Sequence, residues 1–104
     1  MQLTRIALSL ILFGAVSAQV MAQEQVVKIG HVGPLSGQIA HLGKDNENGA
    51  RMAIDALNAK GMTIGGKKIK FVLQGEDDGA NPQQATAAAQ KLADAKVHGV
   101  IGHL

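Results

Sequence analysis

The chain has 104 residues, 46% hydrophobic and 17% charged, with a formal net charge of +2, two phenylalanines and no cysteine, tryptophan or tyrosine. The missing cysteines exclude a disulfide scaffold and a thiolate zinc site. Ten Lys/Arg scattered against eight Asp/Glu, with no set of aromatic platforms, exclude a nucleic-acid surface, and the length allows one small domain at most.

The first twenty-two residues read as an export leader. Arg5 follows a short start, Ile6–Val16 is apolar apart from Ser9 and Gly14, and Val20-Met21-Ala22 offers the small-x-small pattern of a cleavage site. The apolar run reaches only about 16 Å as a helix, half of a hydrocarbon core, so it does not read as a membrane anchor. No cysteine follows it for lipid attachment. Cleavage is expected after Ala22, with Ala18 as the second site. Arg5 and Phe13 leave with the leader, so Phe71 becomes the sole aromatic and the net charge falls to +1.

From Val26 to Val32 the chain is β-branched and bounded by polar and glycine-rich stretches, which predicts a strand. A glycine-rich loop, Gly33–Gly43, follows. Ala50, Ala53, Ile54 and Leu57 then fall on one helical face, predicting a helix from about Asp45 to Lys60. Asp45 and Glu47 are expected in its first turn and Gly61 at its C-cap. Gly65-Gly66 reads as a turn and Lys68–Gln74 as a second strand. The polar loop Glu76–Ala80 leads to Asn81-Pro82, an N-cap and first helical position, with Gln84 placed to complete a capping box. A second helix, Pro82 to about Lys96, carries Ala85, Ala88, Ala89, Leu92 and Ala95, and Val97–Leu104 reads as a third strand.

This β-α-β-α-β order predicts an α/β fold with right-handed crossovers and a parallel sheet. Ligands of such sheets bind beyond the carboxyl ends of the strands. Those ends lead into Gly33–Gly43, Glu76–Ala80 and whatever follows Leu104. Three strands alone leave an open edge and incomplete burial. The chain therefore reads as a leader, 1–22, and the opening part of a larger lobe, 23–104.

None of these loops matches a catalytic or cofactor motif. Gly30, Gly33 and Gly37 do not match the dinucleotide spacing, and Gly37 to Gly43-Lys44-Asp45 fails the phosphate-loop count and puts a carboxylate where a hydroxyl is needed. His31, His41, His98 and His103 lack metal-ligand spacing. Glu76-Asp77-Asp78 lacks the alternation of a calcium loop and reads as a solvated acidic turn. Pro34 and Gln38 flank Ser36 where a nucleophile elbow needs glycines, so Ser36 reads as bonded to loop backbone or as a polar contact near a ligand. No catalytic residue, metal site or cofactor is expected.

Taken together, Val26-Val27-Lys28-Ile29-Gly30-His31-Val32-Gly33-Pro34-Leu35-Ser36-Gly37, the Asn48-Gly49-Ala50 helix with Asp55 and Asn58, Gly65-Gly66, Asp77-Asp78, Asn81-Pro82 and the ending Val100-Ile101-Gly102-His103-Leu104 resemble the N-terminus of the branched-chain amino-acid-binding proteins. These are periplasmic substrate-binding components of ABC transporters. The resemblance implies a two-lobed type I periplasmic binding protein, non-catalytic, that captures a branched-chain or related small amino acid and delivers it to a membrane permease. It also implies that Leu104 lies near the apolar side-chain pocket and that the main ligand loop follows it. Leu42 matches a position where relatives often place an aromatic wall residue, and Ser36 lies in an edge loop of the same site. A ligand-sensing domain of a receptor or regulator, responding to an amide or amino acid, is the alternative with the same fold. An exported α/β enzyme would need a nucleophile or metal cluster beyond residue 104.

Overall fold

The computed structural model describes residues 23–104, so the leader and its cleavage after Ala22 lie outside the described residues. In chain order the elements are β1 (Glu24–Gly33), α1 (Ala40–Lys60), β2 (Thr63–Ile64), β3 (Lys67–Asp77), α2 (Pro82–Asp94) and β4 (Gly99–Ile101). The sheet order is β2-β3-β1-β4. β1 is central and runs parallel to both β3 and β4, with His31 opposite Gly75 on one side and Ile101 on the other. The expected α/β core is therefore present. Added to it is a two-residue antiparallel strand, β2, joined to β3 through Gly65 and Gly66. Both glycines have positive φ, 59° and 76°, as a tight hairpin turn requires.

Alternation along β1 sorts its side chains between two faces. Gly30 and Val32 face α2, where Val32, Ala88 and Leu92 form a closed apolar cluster with Val97 packed against it. A Cβ on Gly30 would meet the Leu92 methyls at 2.9 Å, so glycine is what lets α2 lie this close. Burying a side chain such as Leu92 or Val32 contributes about 1.5–3 kcal/mol. Ile29 and His31 face α1 instead. On that side Ala50 and Ile54 are buried, but Leu57 is half-buried and Ala53, expected on the packed face, is exposed. The cause is an uncovered apolar trough of about 340 Å³ between α1 and β4, lined by Ile29, Leu57, Phe71 and Val100 among others.

The largest departures from the expected boundaries are in α1, β3 and β4. α1 begins at Ala40 rather than Asp45, so Asp45 and Glu47 lie beyond its first turn and do not complement its dipole there. Its start has no side-chain cap; Ala40 N–H donates to Gly37 O at 3.2 Å. Gly43 sits inside the helix because the helix passes directly over Pro34, and a Cβ there would collide with the Pro34 carbonyl. β3 continues through Asp77, absorbing Glu76 and Asp77 from the expected acidic loop. β4 is only Gly99–Ile101, leaving His103 and Leu104 outside the sheet. The helix ends behave as the residues suggest. Gly61 caps α1 at φ 72°, and the Asn81 side chain accepts from Gln83 N–H and Gln84 N–H. Gln84 does not close a capping box, because the Asn81 N–H donates instead to Asp78 O at 2.9 Å, while the Gln84 side-chain amide donates to Asp77 O at 3.2 Å.

Candidate functional site

The carboxyl ends of β1, β3 and β4 meet at one edge of the sheet, and two adjacent carboxylates organise it. Asp77 ends β3 and receives three donors: Ser36 Oγ–H at 2.6 Å, Leu35 N–H at 2.7 Å and Gly79 N–H at 2.8 Å. The Ser36 hydroxyl and then the Leu35 amide hold its carboxyl below the ordinary aspartate value of 3.8, against a smaller opposing effect of burial. Asp78 is buried. It accepts from Ala80 N–H at 2.9 Å and pairs with His103 Nδ1 at 3.1 Å. The backbone joins in, since Asp78 N–H donates to Gly33 O at 3.0 Å.

Beside this edge, Asp78, Asn81, Ala85, Ala89, His103 and Leu104 line a groove of about 660 Å³. Its floor is mostly apolar side chain, with Asp78 and His103 supplying polar atoms. Such a surface suits a small molecule with an aliphatic part and a charged end.

A second polar group lies behind the edge, on the α1 face. His31 is fully buried, with Nδ1 3.3 Å from Glu47 Oε2, and Glu47 Oε1 accepts from Arg51 one turn along at 3.1 Å. The His31–Glu47 contact is close but poorly aligned, and neither ring nitrogen has a well-directed hydrogen-bond partner. Gly75 makes room for it, because a Cβ there would occupy the place of the Glu47 carboxylate. Among the described residues no three His, Asp or Glu side chains come together as a metal site. None of the helices among them is long and apolar enough to cross a membrane.

The profile of the periplasmic binding protein family matches residues 26–104. The chain belongs to that family. Among curated relatives, the leucine-specific-binding protein of Salmonella typhimurium is 43% identical over 90 residues, covering 86% of this chain and 23% of that protein. The Leu/Ile/Val-binding protein of Escherichia coli K12 is 39% identical over 84 residues, 81% of this chain and 22% of that one. Among solved structures, the branched-chain amino acid transporter substrate binding protein LivJ from Streptococcus pneumoniae, in complex with isoleucine, superposes with a TM-score of 0.64 at 32% identity, covering 76% of this chain and 22% of that one. A solute binding protein of an ABC transporter from Rhodopseudomonas palustris, in complex with 3,4-dihydroxy benzoic acid, gives 0.54 at 33% identity, covering 72% and 20%. The chain thus spans less than a quarter of the length of these relatives.

For a member of this family, the three expected site residues land differently. Ser36 is at the edge, but its hydroxyl proton is committed to Asp77. Leu104 lines the groove and is 59% exposed. Leu42 is on the first turn of α1, not in a loop, and is 47% exposed. The sequence pattern missed Asp77 and Asp78 as organisers, since consecutive acidic residues before a helix resemble a solvated turn. It also missed two side chains that complete the sheet. Asn58 accepts from Phe71 N–H and donates to Phe71 O, both at 2.8 Å, standing in for a neighbouring strand on the open edge of β3. His98 accepts from Lys28 N–H at 3.1 Å through Nδ1, while its own N–H donates to Lys28 O at 2.8 Å.

Proposed function

We propose that this chain is the opening part of lobe 1 of an exported solute-binding protein. It captures a branched-chain or related small amino acid and passes it to the permease of an ABC transporter, with no catalytic step. The observation that carries this is the 43% and 39% identity to a leucine-specific-binding and a Leu/Ile/Val-binding protein across most of the chain. The open edge at β1, β3 and β4 supports it, with an aliphatic groove in reach of polar atoms. Leu104 and Leu42 would serve as apolar wall and Ser36 as part of the edge loop. The leader 1–22 would direct the chain to the periplasm and be cleaved after Ala22, which N-terminal sequencing of the exported protein checks.

The 3,4-dihydroxy benzoic acid bound to the Rhodopseudomonas palustris relative favours a second ligand class, aromatic acids, on the same fold. Calorimetric titration of the full-length protein with leucine, isoleucine, valine and 3,4-dihydroxybenzoate separates the two. Saturable heat with an aliphatic amino acid is expected. Heat with the benzoate alone would move the assignment to aromatic acids, and no heat with any of the four would refute it.

A further inference from the structure

Asp77 and Asp78 share a pattern that separate turns would not require. Each carboxylate uses Oδ1 to accept the N–H two residues ahead, Gly79 for Asp77 and Ala80 for Asp78. Those local bonds lock the two side chains in place. Each then reaches out with Oδ2 to a segment distant in sequence: Asp77 to Ser36 Oγ at 2.6 Å, and Asp78 to His103 Nδ1 at 3.1 Å. Asp77 Oδ1 also takes Leu35 N–H at 2.7 Å. Asp77 is the last residue of β3 and Asp78 the first beyond it, so a single strand end supplies both carboxylates.

We infer that Asp77 and Asp78 are positioning residues of the ligand edge, Asp77 holding the segment after β1 and Asp78 the segment after β4. This rests on the proposed binding role of that edge. Asp78 lines the groove and Asp77 does not, but the role inferred for both is the same: each fixes a loop of the edge, so that binding does not have to order it.

The test uses the full-length protein with Asp77→Leu, Asp77→Asn, His103→Leu and His103→Asn, which spare the buried Asp78. Leucine affinity is read by calorimetry and local order by amide hydrogen exchange. Hydrogen bonds to charged groups are strong enough that Asp77→Leu should speed Leu35 exchange about tenfold or more and weaken leucine binding about tenfold. Asn at position 77 keeps an acceptor for Leu35 and Gly79, and at position 103 it keeps a donor for Asp78. Both Asn variants should therefore keep exchange of the held segments within about threefold of the parent, a difference smaller than one charged hydrogen bond. His103→Leu should weaken binding and speed exchange at residues 103 and 104 while leaving Leu35 protected.

Unchanged Leu35 exchange in Asp77→Leu would overturn the inference. So would acceleration spread equally over β1 and β3, or unchanged affinity in both Leu variants. If the parent protein binds no amino acid, the proposed function fails, and the exchange pattern alone decides whether the carboxylates hold the loops.

Discussion

The two faces of β1 solve the same packing problem with different chemistry. Val32 and His31 are adjacent and both fully buried, yet Val32 meets Ala88 and Leu92 while His31 meets Glu47. On each face a glycine clears the space: Gly30 for Leu92, and Gly75 for the Glu47 carboxylate. The cluster on the α2 face is wholly apolar. The α1 face combines a buried polar contact with an uncovered apolar trough. The α2 side thus rests on close apolar packing alone, and the α1 side adds a directional polar contact to its apolar ones.

Substitutions at the two faces sharpen this contrast. Leu92→Ala should be the most destabilising, by about 4 kcal/mol, because it empties the centre of the closed cluster. Urea unfolding of the full-length protein measures it, and a loss below that of any α1-face substitution would reverse the ranking. Gly43→Ala comes next, at about 3 kcal/mol, the upper end of overpacking, since the new methyl meets Pro34 backbone that cannot swing away. Gly75→Ala should cost about 1 kcal/mol, because it displaces only the flexible end of Glu47, and it should also free His31 from its acidic neighbour. A Gly75→Ala effect equal to that of Gly43→Ala would mean that Glu47 is held as firmly as backbone.

The smallest effect concerns pH. Asp77 is held below 3.8 in the folded chain by Ser36 and Leu35. Its contribution is therefore complete above the unfolded value and is lost only as pH falls through the lower folded one. Leu35 exchange protection, compared between the parent and Asp77→Asn, should stay pH-independent above pH 3.8 and weaken only below it. Loss of protection at higher pH would show that Asp77 is not held in its charged form.

Much of this molecule is legible from local pattern. The β-branched run of β1, the alternation in Ile69, Phe71 and Leu73, and Asn81-Pro82 at the start of α2 each express a preference that tertiary packing reinforces. The start of α1 is not legible in this way. Gly43 looks like loop composition, and only the approach to Pro34 explains a glycine inside a helix. β2 has two residues, too few to show a period. The site is the least legible part. Ser36 and Asp77 lie 41 positions apart, and Asp78 and His103 lie 25 apart, so no window of sequence contains either pair. The proximity of His31 to Glu47 likewise follows only once β1 and α1 are packed together.

The central claim is that ligand binds at the carboxyl ends of β1, β3 and β4. A crystal structure of the full-length protein grown with leucine tests it most directly. The ligand is expected within about 4 Å of Leu104 and beside the segment after β1 that Asp77 holds. Leucine seated instead at the opposite end of the sheet, against Glu24, Lys68 and Lys70, would contradict it.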